Sequence, residues 1–342
     1  MEITFLQDPK TWAGMADEWN TLLARSALNL PFLRAEFLEA WWTTLGGGEW
    51  PDGELQVALG RSADGRLQAA APLFQTRSRP AVLQLVGTSE IADYLDVLCP
   101  EDDLDEFVSS LLEAIESGRP ESVEMLDLWN LLEGSPALAA FEAHAKRRGW
   151  TAERQRVKPA PIVGLGDGWE GYLSRLDKKQ RHELRRKMRR AAEHPDGSAF
   201  VRAPGGEELP RFVDEFLRLM STDEAKARFL TEPMRKAFHA LAAAASIHGW
   251  LRLEFLEIGG KPAAAYLCFE YDDRLWIYNS GLDPKYHGLS PGWALLGHLI
   301  REATERGLTA VDFMRGDEAY KIRLGGVIRH VERLTLSRPR RS

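Results

Sequence analysis

The strongest constraint on the fold of this chain is a pattern that its sequence contains twice. Residues 65–74 read Gly-Arg-Leu-Gln-Ala-Ala-Ala-Pro-Leu-Phe, and residues 260–269 read Gly-Lys-Pro-Ala-Ala-Ala-Tyr-Leu-Cys-Phe. Each segment follows an apolar stretch and a tight turn, and further strands, a helix and an acidic strand follow it. The acidic residue is Asp127 in the first copy and Asp312 in the second. We therefore predict a duplicated unit, although any two mixed segments can share hairpins.

The length of the chain also favours two domains. A single hydrophobic core rarely supports 342 residues. The segment 158–161, Lys-Pro-Ala-Pro, interrupts the regular patterns and is the candidate linker. We predict an α/β protein with two lobes, residues 1–160 and 161–342, whose mixed sheets are flanked by helices.

Local patterns predict individual elements within these lobes. Residues 94–98 of the first lobe have the composition of a strand. Residues 209–220 of the second lobe show helical spacing of apolar side chains. The closing residues 338–342 are predicted to form a frayed basic tail.

The segment 286–296, Tyr-His-Gly-Leu-Ser-Pro-Gly-Trp-Ala-Leu-Leu, lies between a predicted strand and a predicted helix. Its small residues keep side chains away from the start of that helix, where free N–H groups and the helix dipole attract anions. The predicted donor-binding residues are His287, Gly288, Ser290, Gly292 and Trp293. The alternative is an ordinary helix start capped by serine, proline and glycine.

A basic segment at 177–190 forms a second candidate anion site. Its apolar side chains recur every three or four positions and predict one core-facing stripe: Leu173, Leu176, Gln180, Leu184, Met188 and Ala191. Arg181 and Arg185 lie on another face, together with Arg189 and Lys178. This face is predicted to bind the phosphates of coenzyme A, a nucleotide-linked sugar or tRNA. The alternative is a solvated amphipathic helix.

Four polar residues follow the acidic strand of the second copy: Asp317, Glu318, Tyr320 and Lys321. Ligands of open α/β sheets bind at such strand ends. Asp317 or Glu318 would accept a proton from an attacking amine, and Tyr320 would donate one to the leaving group. Lys321 would hold a phosphate or carboxylate, or stabilise an oxyanion. The alternative is a salt-bridged helical turn in which Lys321 and Arg323 pair with the two carboxylates.

The order of loop, helix, glycine stop and strand from residue 286 onward resembles the cofactor-binding core of GNAT N-acyltransferases. The pattern of that family is Arg/Gln-x-x-Gly-x-Gly/Ala before a helix. His287 stands where Arg or Gln is usual, and Ser290 stands at the penultimate Gly position. Gly292 keeps the last glycine of the pattern.

A wider resemblance covers nearly the whole chain. Five segments carry it: 94–96, the basic helix, 278–284, 289–292 and 312–321. They resemble the bacterial GNAT branch named after the cellulose-biosynthesis protein CelD. That branch is similar in turn to the Fem-type peptidyltransferases, which are tandem GNAT lobes that use aminoacyl-tRNA and have a functional lysine near the position of Lys321.

This resemblance implies two tandem GNAT-like lobes and an N-acyltransferase activity. The acyl group would come from acyl-coenzyme A, such as acetyl-coenzyme A, as a co-substrate, with no permanently bound cofactor. The acceptor would be an amine on a sugar, an amino acid or a cell-envelope or exopolysaccharide precursor, in polysaccharide biosynthesis. One alternative is a Fem-like transferase that docks aminoacyl-tRNA on the basic helix. The other is a non-catalytic accessory protein, as the departures at His287 and Ser290 indicate.

Composition excludes several other classes. The net charge of -7 argues against a dedicated nucleic-acid-binding protein, so we expect no DNA partner. Two distant cysteines, Cys99 and Cys268, give neither a disulfide framework nor a zinc pattern, and the histidines lack metal-ligand spacing. The N-terminal residues lack the features of a signal peptide, and no apolar run is long enough to span a membrane. We therefore predict a cytoplasmic protein without membrane insertion or a metal.

Overall fold

A computed structural model describes residues 1–48, 50–166 and 168–339. The chain forms two compact units. The first contains Met1–Lys158 and the C-terminal segment from His330 onward, and the second contains Pro159–Arg329. The division after Lys158 falls close to the predicted linker, whereas the C-terminal segment groups with the first unit and not with the predicted second lobe. Residues 340–342 of the predicted tail lie outside the described residues.

The first unit is a mixed α/β structure. Its strands are β1 (Glu2–Leu6), β2 (Gly53–Leu55), β3 (Val57–Arg61), β4 (Leu67–Ala71), β5 (Leu73–Thr76), β6 (Arg79–Leu85) and β7 (Met125–Leu132). Its helices are α1 (Pro9–Ala13), α2 (Ala16–Leu23), α3 (Ala35–Gly48), α4 (Leu104–Glu116) and α5 (Pro136–Arg147). The strand β8 (Thr151–Gly164) begins in this unit and ends in the second.

The second unit has the same mixed character. Its helices are α6 (Gly168–Arg175), α7 (Lys178–Ala192), α8 (Leu209–Met220), α9 (Glu224–Phe229), α10 (Glu232–Ile247), α11 (Pro291–Glu305) and α12 (Ala319–Arg323). Its strands are β9 (Ser198–Arg202), β10 (Leu251–Ile258), β11 (Lys261–Tyr271), β12 (Arg274–Leu282) and β13 (Ala310–Asp312). The strand β14 (Val327–Ser337) begins here and ends in the first unit. No helix in the described parts of the chain combines the length and apolar character that a membrane span requires.

Strand pairing repeats between the units and confirms the predicted duplication. In the first, β1–β3, β3–β4 and β5–β6 are antiparallel, and β6–β7 is parallel. In the second, β9–β10, β10–β11 and β11–β12 are antiparallel, and β12–β13 is parallel. The first copy differs because Pro72 separates β4 from β5, and a proline offers no N–H to a sheet ladder.

The acidic residue of each copy is buried and paired with an arginine of β14. Arg333 donates to both carboxylate oxygens of Asp127, at 2.6 and 2.9 Å. Arg329 donates to Asp312 Oδ2 at 2.6 Å, and the N–H of Met314 donates to Asp312 Oδ1 at 2.9 Å. The two aspartates therefore anchor the strands β7 and β13 within their units.

A buried ion network fixes α11 on the sheet of the second unit. Arg252 on β10, only 4% exposed, donates to Glu254 at 2.7 Å and to Glu270 at 3.0 Å. It also donates to Glu302 of α11. Arg202 of β9 donates to Glu254 as well, at 2.7 Å. Removing one member would leave buried charge unpaired, so the network holds α11 in a defined position.

In the first unit, the space where β6 and β7 separate is filled by the chain itself. Their parallel pairing extends only from Val82 to Gln84 on β6. The predicted strand at 94–98 is instead an irregular segment with two isolated bridges, at Leu95 and Leu98. Its buried residues include Tyr94, Leu95, Val97 and Leu98. Because buried and exposed side chains do not alternate along it, the segment does not form a half-exposed strand and instead fills the space between β6 and β7.

A buried carboxyl group holds the segment 94–98 in place. Asp96 is 2% exposed and accepts hydrogen bonds from Ser135 Oγ at 2.6 Å and from the N–H of Val97 at 2.7 Å. Burial is the largest influence and raises the pKa of Asp96 from 3.8 to about 6. Because the pKa is higher in the folded state, ionisation of Asp96 opposes folding, and stability is lost as the pH rises through 6.

We predict that Asp96→Asn removes this pH dependence. Relative to the parent protein, the variant should gain up to about 3 kcal/mol of unfolding free energy between pH 4 and pH 8. Urea denaturation at both pH values measures this difference. The exposed Glu2→Gln variant is the control, and the prediction fails if the two variants change equally with pH.

Candidate functional site

The second unit opens where β12 loses its neighbour β13. The two strands pair in parallel at only three positions, Arg274 to Trp276 opposite Ala310 to Asp312. β13 then ends, whereas β12 continues to Leu282. Carboxyl ends of parallel strands that diverge in this way leave a crevice suited to a ligand.

A bulge in β12 lies beside this opening. Leu267 of β11 is opposite Asn279, and Cys268 is opposite Ile277, so Tyr278 is an additional residue in β12. A bulge bends a strand, increases its twist and redirects the side chains that follow. Asn279 and Ser280 directly follow Tyr278.

The N terminus of α11 forms one side of the opening. Ser290 has left-handed backbone angles, and the N–H groups of Trp293 and Ala294 both donate to its carbonyl oxygen, at 3.0 and 3.3 Å. A Cβ atom on Gly292 would lie 2.9 Å from Leu282 Cδ2 and 3.7 Å from the Tyr266 hydroxyl. The absence of a side chain at Gly292 therefore lets the positive end of α11 approach the end of β12.

The remaining predicted donor-binding residues occupy different environments. His287 and Gly288 are exposed on a 3-10 helix, Pro284–Leu289, that precedes α11. Trp293 is partly buried, and Lys187 Nζ lies 4.0 Å above its ring. Lys187 therefore lies close to the start of α11, where it also pairs with Glu183 at 3.3 Å.

The segment after β13 folds around Lys321, which is 3% exposed. Its ammonium group lies 2.9 Å from Glu318 Oε2 and donates to the carbonyl oxygens of Arg315, at 2.7 Å, and Met314, at 3.3 Å. These acceptors use all three N–H bonds of a lysine. The predicted alternative of a salt-bridged turn is thus realised for Lys321 and Glu318. This geometry favours a positioning role for Lys321.

Gly316 makes this turn possible. Its φ of 135° lies in a region that disfavours residues with a side chain. A Cβ atom there would lie 2.1 Å from Glu318 Oε2 and 2.6 Å from Lys321 Nζ. The ion pair therefore forms directly over the glycine.

Glu318 and two largely buried tyrosines carry polar groups near the point where β12 and β13 diverge. The side chain of Glu318 is 55% exposed, and its Oε1 makes no contact with the described residues, whereas Asp317 is exposed and forms no ion pair with them. Tyr320 of α12 contributes to raising the pKa of Tyr266 of β11. Neither hydroxyl has a hydrogen-bond partner in the described part of the chain. Burial raises the pKa of both Tyr266 and Tyr320 above 10, so both hydroxyls stay protonated and can donate.

Sequence reasoning missed Lys226 and Tyr266. Lys226 Nζ donates to Ser280 O at 2.6 Å and to Asn279 Oδ1 at 3.1 Å, and the charges of Glu318 and Lys321 act on it. No spacing in the sequence marks this lysine. A signal existed for Tyr266, because the duplicated pattern has Ala71 at the corresponding position.

One face of the basic helix α7 packs against the core. Leu184 and Ala191 of the predicted stripe are fully buried, and Leu184 and Met188 pack against Gly297 of α11. Arg181 donates to the Leu173 carbonyl at 3.4 Å. Arg185 lies 2.6 Å from Glu170 in an exposed ion pair. Both predicted phosphate-binding arginines therefore have protein partners. Lys178, Lys179, Arg189 and Arg190 are exposed basic residues of α7 that form no ion pair with the described residues.

Comparison with protein families finds a match for part of the second unit. Residues 178–322 match a family described as an acetyltransferase (GNAT) domain. No curated protein sequence matches the chain.

Solved structures resemble the whole chain at low sequence identity. FemX matches with a TM-score of 0.69 and 12% identity, over 98% of this chain and 97% of its own. A conserved protein of unknown function from Bacteroides thetaiotaomicron VPI-5482 matches with a TM-score of 0.64 and 14% identity, over 98% and 100%. L-PGS from Bacillus licheniformis matches with a TM-score of 0.59 and 16% identity, over 100% and 95%. The predicted α/β fold of two GNAT-like lobes is therefore confirmed.

We predict that Gly316→Ala destabilises the protein because the new methyl group displaces the Glu318–Lys321 pair. The expected loss is about 3 kcal/mol, from unfavourable backbone angles and steric overlap together. The control is Gly307→Ala, where φ is 75° and no atom lies within 4 Å of a Cβ, so only about 1 kcal/mol should be lost. Chemical denaturation compares the two variants, and equal losses would contradict the steric role of the pair.

Proposed function

We propose that the second unit is an N-acyltransferase that moves an acyl group from acyl-coenzyme A to an amine. One observation carries this proposal. At the point where β12 and β13 diverge, the N terminus of α11 and the partly exposed carboxylate of Glu318 border the same opening, together with the hydroxyl of Tyr266. The N terminus of α11 suits an anionic donor, and the carboxylate of Glu318 suits deprotonation of an amine.

The start of α11 would hold the phosphates of the donor. The N–H of Gly292 donates to no backbone acceptor among the described residues and can donate to a phosphate, while Leu282 packs where a side chain of Gly292 would lie. Lys187, above the ring of Trp293, supplies a nearby cation. The departures from the GNAT pattern at His287 and Ser290 remove no backbone donor from this site.

The opposite side of the opening would carry the proton transfers. Glu318, held by Lys321, would accept a proton from the acceptor amine as its nitrogen attacks the thioester carbonyl. Tyr320 or Tyr266 would donate a hydrogen bond to the departing thiolate, because both hydroxyls remain protonated at neutral pH. Lys321 would act by orienting Glu318 and not by touching the substrate.

The acceptor class proposed from the sequence includes amines on sugars, amino acids and cell-envelope or exopolysaccharide precursors. The relation to the CelD-like branch, a role in polysaccharide biosynthesis and a cytoplasmic location stay predictions.

A second candidate is a transferase that uses aminoacyl-tRNA. The exposed basic residues of α7 favour it, because a row of cations suits a phosphate backbone. The similarity in fold to FemX over almost the full length also supports it. The non-catalytic accessory role is the remaining alternative.

We predict that Glu318→Gln lowers turnover about a hundredfold, because glutamine cannot accept the proton. Donor affinity should change little, since a glutamine oxygen can still accept from Lys321, but the melting temperature should fall because the buried Lys321 loses its charged partner. The comparison includes Asp317→Asn, which tests the neighbouring carboxylate, and the exposed Glu232→Gln as a control. If Asp317→Asn shows the loss and Glu318→Gln does not, the assignment of the base is wrong.

We also predict that acetyl-coenzyme A raises the melting temperature of the protein, because ligand binding to the folded state stabilises it. Gly292→Leu should abolish this shift by blocking the start of α11. A shift with aminoacyl-tRNA alone, which salt weakens, would favour the second candidate. No shift with either donor would favour the accessory role.

A further inference from the structure

Lys226 forms a site that the proposed mechanism does not use. The lysine projects from α9 to the strand β12, where its ammonium group donates to Asn279 Oδ1 at 3.1 Å and Ser280 O at 2.6 Å. Ser280 Oγ lies 3.4 Å away, a weak contact at the limit of hydrogen-bond distance, so the third N–H of Lys226 can turn to a ligand. All three partners are neutral oxygens, and they belong to the segment directly after the bulge in β12.

The charge of this ammonium group is not balanced by an ion pair with any described residue. Asp223 accepts from the backbone N–H groups of Ala225 and Lys226 and acts on the ammonium only from a distance. Glu318 acts on it as well, but Lys321 already pairs with Glu318 at 2.9 Å. A largely desolvated cation without a carboxylate partner is costly in a protein interior.

Lys226 therefore lacks a directly paired anion. Lys321 is a second cation that acts on it, Glu318 pairs with Lys321, and Asp223 acts only from a distance, while the positive end of α11 borders the same opening. An anionic group of a ligand would supply the missing direct partner. Burial, the largest influence, lowers the pKa of Lys226, and an acidic ligand would offset that effect.

We propose that Lys226 recognises an acidic group on the acceptor, so that the acceptor is an amine that also carries a carboxylate or a phosphate. This inference rests on the proposed acyltransferase function. The amine lies at Glu318 and the acidic group lies at Lys226, with Asn279 and Ser280 fixing the lysine. A neutral amine leaves the charge of Lys226 unbalanced, and the site thereby discriminates against it.

Kinetics with matched acceptors test this assignment. With acetyl-coenzyme A as donor, free amino acids are compared with their carboxamides, and glucosamine 6-phosphate is compared with glucosamine. The acidic member of one pair should have a KM at least tenfold lower, which also identifies the acid as carboxylate or phosphate. Lys226→Met should remove the discrimination, so that the acidic and the neutral member of the pair have the same KM.

Two further variants separate recognition from structure. Lys226→Arg should recover part of the discrimination, because it restores the cation. Lys236→Met, which removes an exposed lysine of α10, should change nothing. If Lys226→Met does not fold, Lys226→Gln replaces it. Equal loss of kcat for acidic and neutral acceptors, with no change in KM discrimination, would overturn the proposal.

A binding experiment keeps this test independent of catalysis. Calorimetry with acetate and with inorganic phosphate should detect binding to the parent protein and none to Lys226→Met. Anion binding that depends on Lys226, without any acyl transfer, would refute the acyltransferase function and retain the anion site. Anion binding that is unchanged in Lys226→Met would refute the site itself.

Discussion

The short pairing between β12 and β13 determines where the second unit can bind a ligand. After Trp276, β12 has no parallel neighbour on that side among the described residues, and the bulge at Tyr278 turns the strand further. The backbone and side chains around the gap must find other partners, because buried polar groups without partners are costly. Lys226 donates hydrogen bonds to oxygen atoms of Asn279 and Ser280, while Lys321 donates to backbone carbonyl groups of the chain that leaves β13. The two lysines thus support the two sides of one opening.

The two copies of the repeat use the same gap differently. In the first unit, residues 87–98 enter it, and Asp96 and Asn130 tie that segment down with buried hydrogen bonds. In the second unit, the corresponding connection is a 3-10 helix, Pro284–Leu289, none of whose residues is buried. A copy that fills its own gap contributes stability, whereas a copy that leaves it open can bind a substrate. The assignment of chemistry to the second unit follows from this difference.

Sequence patterns predicted those features that depend on local periodicity. The helix α8 begins and ends where the apolar spacing indicates, and the repeated hairpin predicted the common order of strand pairing. The C-terminal strand itself was predicted at residues 327–336, but its pairing with β7 was not, because β7 is distant in sequence and no local pattern reports the pairing. Lys226 escaped it for the same reason, since its environment comes from β12 and α12. The candidate site residues at 317–321 were proposed from one short segment, but only the structure shows that Gly316 and Lys321 hold Glu318.

The C-terminal part of β14 belongs to the first unit, and this has a consequence for synthesis of the protein. β7 is complete early in translation, but its partner residues 331–337 belong to β14 and are made only after the whole second unit. Until then, β7 presents an unpaired edge and the carboxylate of Asp127 lacks Arg333, its bidentate partner. The first unit therefore cannot reach its final structure while it is the only part that has left the ribosome. The usual order, in which an N-terminal domain finishes folding before the next one emerges, does not apply to this chain.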